Sequence, residues 1–148
     1  MLRAYQYRLY PNKCQEEALW KLLKLGCRLY NSALQERKEA WQRHGKSVGY
    51  HEQALQLKEI RETTELGLLN FSACQQVLRR LDKAFKAFFR RLEAGEKTGY
   101  PRFKKPHRFR TLEFRYGDGA YLRDSRLSSR TSARSESNGI VLCPITVS

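Results

Sequence analysis

The stretch from Asn12 to Trp41 constrains this chain more than any other. Asn12 stands where a helix N-cap is wanted, and Gln15, three residues later, completes a capping box. From there Leu19, Leu22, Leu23, Gly26, Leu29, Tyr30, Ala33, Leu34 and Trp41 recur at steps of mostly three and four, opposite Lys21, Lys24, Arg28, Glu36 and Lys38. This predicts one long helix, or two joined near Gly26. "RHGKSVGY" (Arg43 to Tyr50) breaks the pattern with two glycines. A shorter helix follows from about Tyr50 to Arg61, carrying Ala54, Leu55, Leu57 and Ile60, and "ETTELGLLN" ends it.

The third helix is the clearest. Asn70 or Ser72 can cap it, Val77, Leu78, Leu81, Phe85, Phe88 and Leu92 recur at helical intervals, and Gly95 stands where a left-handed terminating residue is wanted. The helices can then pack through Leu22, Leu29, Val77, Leu81 and Phe85. At the two ends the period changes. "RAYQYRLY" (Arg3 to Tyr10) alternates and is rich in Tyr, so it predicts a strand stopped by Pro11. "TLEFRYGDGAYL" reads as two short strands about a Gly117-Asp118-Gly119 hairpin turn. The expected fold class is α+β, mainly α, in the order strand, helices, strands.

Charge separates the classes of function. The chain has 148 residues, 29 Lys and Arg against 15 Asp and Glu, and a net charge of +14. An excess this large repels itself, and an anionic partner, most commonly nucleic acid, is the usual reason to keep it. Thirteen of the cations fall between Arg79 and Arg115, against four acids. Arg79, Arg80, Lys83, Lys86, Arg90 and Arg91 lie on the polar face of the third helix, and Arg102, Lys104, Lys105, Arg108 and Arg110 follow in a turn-rich segment. One sign of charge continuing from a helix through a turn predicts contact with phosphates. Tyr100, Phe103 and Phe109 sit between these cations, where a ring either stacks on an unpaired base or anchors the segment to the core. Anchoring is the role expected of Phe103.

Other chemistries find little support. Cys14, Cys27, Cys74 and Cys143 are far apart, with no nearby His to complete a zinc set, and three of them sit in helical patterns as reduced core residues. His44, His51 and His107 are isolated from any nucleophile or metal-ligand spacing. No catalytic site, metal, cofactor or small-molecule substrate is expected. The sequence has no run of about 18 apolar residues that would span a bilayer, and the start lacks a signal-peptide pattern. A cytoplasmic chain with no membrane partner is therefore expected.

The motifs "RAYQYRLYPN", "GCRLYN" (Gly26 to Asn31) and "LDKAFKAFFRRLEAGEKTGYPRFKK" (Leu81 to Lys105) resemble the N-terminal third of TnpB, the OrfB-type protein of insertion sequences, over roughly residues 3 to 127. Proteins of that family carry a transposase label and an N-terminal helix-turn-helix, and act as RNA-guided DNA endonucleases. The resemblance implies a helical recognition lobe flanked by N- and C-terminal strands of an incomplete β-barrel. Its parts would be residues 1–11 as a barrel strand, 12–95 as the helix-turn-helix-like recognition region, 96–127 as basic loop and hairpin, and 128–148 as a tail. It further implies guide RNA and duplex DNA as partners. Tyr50 and Gln75 fall where the recognition helices approach the duplex, and Arg102, Lys104 and Lys105 near the guide. The family's metal-binding acids and four-Cys zinc ribbon have no counterpart in these residues, so recognition without cleavage is expected. A free-standing helix-turn-helix DNA-binding regulator is the alternative.

The tail from Leu127 to Ser148 is Ser-rich and aperiodic, as a disordered terminus would be. A shifted reading frame over the same codons can yield an alternating, strand-like string that resembles the family's continuation, so a frameshift is the favoured expectation for residues 128–148 over a disordered native tail.

Overall fold

The computed structural model describes residues 8–115, 120–123, 126–129 and 140–144. Three helices make up its centre: α1, Lys13–His44; α2, Tyr50–Thr63; and α3, Phe71–Glu93. Helix α1 runs unbroken through Gly26. It starts at the expected capping box, where Gln15 N–H donates to Asn12 Oδ1 at 2.9 Å and Asn12 N–H to Gln15 Oε1 at 3.0 Å. It stops at Gly45, whose φ of 59° lets its own N–H reach Trp41 O while Lys46 N–H reaches Ala40 O. Asn70 is the cap of α3, accepting from Ser72 N–H at 2.9 Å, and Gly95 takes the expected left-handed conformation beyond its end.

Helix α3 packs on both α1 and α2, and a short 3-10 turn at Glu65–Leu68 closes the gap between α2 and α3. The core between them holds Leu22, Leu25, Leu29, Leu34, Leu57, Leu66, Leu69, Val77, Leu78, Leu81 and Phe85. Each such side chain contributes about 1.5–3 kcal/mol by leaving water. The five residues expected to join the helices are all in it. Among the other apolar residues of the predicted stripes, Trp41 is 64% exposed, Leu55 83% and Leu92 56%. All three lie on helices with the right period, on sides the described residues leave open.

One polar group is built into this core. Arg37 of α1 donates from Nε to Gln53 Oε1 of α2 at 2.8 Å and from its terminal nitrogens to Asp82 Oδ1 of α3 at 3.3 and 3.4 Å. Gln53 in turn donates to Ala33 O at 2.9 Å, and the Arg37 guanidinium lies 5.0 Å from the Phe85 ring centroid. All three helices meet at this one side chain, so its charge is buried with partners rather than alone.

Among the described residues the incomplete barrel is not found. Strands Ala120–Arg123 (β1), Arg126–Ser129 (β2) and Ile140–Pro144 (β3) form an open antiparallel sheet in the order β1-β2-β3, and the rest of the described chain is helix, turn and loop. Closing a barrel needs strands from both ends of the chain to pair. Arg8 to Pro11, the described part of the expected N-terminal strand segment, has no regular structure, and residues 1–7 lie outside the described residues. Thr111 to Arg115 is likewise irregular, and the Gly117 to Gly119 turn lies outside the described residues. Alternation marks a chain that can be a strand, but only a ladder partner makes it one.

Candidate nucleic-acid interface

Arg79, Lys83, Lys86 and Arg90 follow one another at steps of four, three and four, which puts them on a single face of α3. All four are exposed, and the row is about 16 Å long at the helical rise per residue. Lys86 Nζ is 3.0 Å from Asp82 Oδ2, an i,i+4 pair. At the start of the row the Arg79 guanidinium lies over the Tyr50 ring, 5.3 Å from its centroid. Gln75 is one turn before Arg79 and half-buried. The fold thus brings Tyr50 from α2 and Gln75 from α3 to the same end of one cationic row.

The second group comes from a segment without periodic structure, and its position depends on residues of the "GCRLYN" motif for which the sequence predicts no such role. Asn31 of α1 holds Lys104 on both sides of its peptide: Asn31 Nδ2 donates to Lys104 O and Lys104 N–H donates to Asn31 Oδ1, each at 2.8 Å. The Cys27 thiol donates to the same carbonyl at 3.3 Å. A side-chain amide here does what a neighbouring strand would do. Further along, Phe109 is buried at 2% exposure and Leu112 packs beside it. A Cβ at Gly26 would meet Leu112 Cδ2 at 2.8 Å and the Phe109 ring at 3.0 Å, so the missing side chain is the notch that admits them. Phe109, not Phe103, is therefore the anchor. Phe103 is 48% exposed, with Lys38 Nζ 5.9 Å from its ring.

Pinned in this way, the segment walls a cleft of about 560 Å³. Arg102, Lys104, Lys105 and Arg108 line it with Tyr30, Ala84 and Tyr100. Lys104 Nζ lies 6.0 Å from the Tyr30 ring centroid. Burial raises the hydroxyl pKa of both Tyr30 and Tyr100, against a smaller opposing effect of nearby arginines, so both phenols stay neutral and add no negative charge to the cleft. Four cations and two neutral rings thus share one cleft.

Two expected site residues also have partners within the chain. Arg80 Nη2 donates to Thr111 O at 3.0 Å with its guanidinium over the Phe109 ring, and Arg110 Nε donates to His107 O at 3.0 Å. Arg91 lies eleven residues after Arg80, on the same side of α3, and is exposed. The cysteines divide. Cys27 and Cys74 are buried, and burial holds the Cys74 thiol up to about 11, but Cys14 is exposed in the first turn of α1, against expectation. Cys143 has no described side chain. Among the described residues no group of three or more His, Cys, Asp or Glu is placed to hold a metal ion, and no helix is long and apolar enough to cross a membrane.

Residues 1–46 match the helix-turn-helix domain of the OrfB family of IS605 elements. The N-terminal region of this chain is an OrfB/TnpB-family domain. Two curated relatives, both named "Putative RNA-guided DNA endonuclease", extend the match beyond it. One, from Streptomyces pristinaespiralis, is 34% identical over 105 residues, 69% of this chain and 25% of the relative. The other, InsQ of Escherichia coli K12, is 34% identical over 125 residues, 82% of this chain and 29% of the relative. The chain thus spans under a third of the length of either relative. The described part of residues 1–46 forms one continuous helix, α1, with a short lead-in. The turns that join the helices come at and beyond the end of that match, at Gly45 to Gly49 and at Thr64 to Asn70.

Proposed function

We propose that this OrfB/TnpB-type region is a recognition module for guide RNA and duplex DNA that does no cleavage itself. In this reading Arg102, Lys104, Lys105 and Arg108 take guide RNA phosphates in their cleft, while Arg79, Lys83, Lys86 and Arg90 take phosphates along α3. Tyr50 and Gln75, at the head of that row, face the duplex, where Gln can pair with an adenine edge. The observation that carries the reading is the cleft: four cations from an irregular segment, fixed on α1 by a two-sided hydrogen bond, beside a helix with a cationic face.

Titration of the chain with structured RNA and with duplex DNA over a salt series tests it. The logarithm of affinity should fall with slope near 0.7 to 0.9 per neutralised phosphate. Replacing Arg90, Arg91, Lys104 and Lys105 with Ala should weaken both and flatten the slope. A slope unchanged by those substitutions removes the basic surface from the function. Tight binding to one duplex sequence with indifference to RNA would instead favour a free-standing DNA-binding regulator.

A further inference from the structure

A second concavity, of about 600 Å³, opens on the other side of Tyr100. It lies between the end of α1 and the end of α3, and its exposed surface is mainly rings: Trp41 is 64% exposed, Phe89 50% and Tyr100 42%, with Leu92 at 56% beside them. Phe89 and Tyr100 are held in place, Phe89 on one side by Phe85, stacked at 6.4 Å. Phe88 stands edge-on to both Phe89 and Tyr100, at centroid distances of 5.2 and 5.5 Å, and Tyr100 is also edge-on to Phe85 at 5.5 Å. Edge-on packing leaves the outer faces free to take another ring. The volume is in the range of small-ligand sites.

We infer that this groove receives an unpaired base of a single-stranded nucleic acid whose phosphates lie in the adjoining basic cleft. The inference rests on the nucleic-acid reading above and adds a site to it. Charge complementarity decides the occupant. Tyr100 lines both concavities, so the ring surface is continuous with Arg102, Lys104, Lys105 and Arg108. Arg90 and Arg91 follow Phe89 directly in the chain, and Lys46 stands on the opposite rim. A peptide segment docking by apolar contact gains nothing from a cationic surround. A strand of nucleic acid needs both parts together, because stacked rings take its bases and cations its backbone.

The test compares a short single-stranded RNA with a duplex RNA of equal charge, each bound to the full chain and to Trp41→Ala, Phe89→Ala and Trp41→Phe variants. Both alanine variants should lose about tenfold or more in single-strand affinity with the salt slope unchanged, Trp41→Phe should keep most of it, and duplex affinity should hold within about twofold. In a Trp20→Phe background the single strand should also quench the fluorescence of Trp41. Both residues are exposed, so folding should survive, and circular dichroism checks that. Unchanged single-strand binding in both alanine variants, while the Lys104 and Lys105 replacements still weaken it, overturns this site and leaves the phosphate reading intact. No binding by the unaltered chain overturns both. Self-association that Trp41→Ala abolishes, with nucleic-acid binding unchanged, gives the groove to a protein partner and overturns the inference as well.

Discussion

The two halves of α3 carry one sequence pattern and meet different surroundings. From Phe71 to Phe85 the apolar side is covered by α1, α2 and the Glu65–Leu68 turn, and Cys74, Val77, Leu78 and Leu81 are each at most 1% exposed. From Lys86 to Glu93 the same period continues through Phe88, Phe89 and Leu92, but Phe89 is 50% exposed and Leu92 56%, with Trp41, Val48 and Tyr100 beside them. Stability therefore resides in the first half, and the second half is left free to bind. The difference is one of neighbours, not of residues.

Paired truncations should break this contrast if it is wrong. Leu81→Ala removes a fully buried side chain and should cost about 2–5 kcal/mol, whereas Leu92→Ala, in an exposed setting, should stay within about 0.5 kcal/mol, both read from urea melts. Similar losses at the two positions would mean that the second half is covered in solution. Arg37→Ala comes next. It strips partners from Gln53 and Asp82 where the three helices meet, and should cost about 3 kcal/mol, softened because Asp82 keeps Lys86. Arg90→Ala in the other half should leave the melt unmoved and affect only binding.

Alkaline pH offers a sharper probe of the covered half. The folded-state pKa of Cys74 is raised from 9.0 to about 11 by burial, so the thiol's contribution is present below pH 9 and is lost as pH rises to about 11. Under reducing conditions stability should drop over that window by an amount on the order of 2 kcal/mol, and a Cys74→Ala variant should lack this component. The smallest effect concerns the segment that walls the cleft. Asn31→Ala should cost about 1–2 kcal/mol for two hydrogen bonds and speed tryptic cleavage after Lys104 while the helices stay protected. Cleavage no faster than in the unaltered chain would show that Gly26 and Phe109 suffice to hold the segment.

Much of the helical part was legible because its signals are local. The Asn12 and Gln15 box, the Asn70 cap and the left-handed Gly95 each involve residues within a few positions of one another, and the apolar period fixes which side of a helix turns inward. Period does not say whether anything arrives to cover that side. Trp41 and Leu55 kept step and stayed in water, and the terminal strands had alternation but no barrel to join. Irregular segments hide most, since they take their shape from distant contacts. Asn31 and Lys104 are 73 residues apart, and nothing in "GYPRFKKPHRFR" distinguishes the anchoring Phe109 from the exposed Phe103. A glycine within an otherwise good helix was the one available hint. Gly26 marked where another part of the chain comes close.

The two fastenings of the basic segment also set its length. Asn31 and Gly26 are five residues apart on α1, and the residues they hold, Lys104 and Phe109, are five apart on the segment, running in the opposite direction. Five helical residues advance about 7.5 Å, but five extended ones reach about 17 Å. The 3-10 turn at Pro106–Arg108 takes up that slack. The segment is thus a strap cut to size between two buckles. Adding or deleting one residue between Lys104 and Phe109 would undo one buckle and swing the cations off the cleft, so gain or loss of a codon there is a harsher change than most substitutions of the cations themselves.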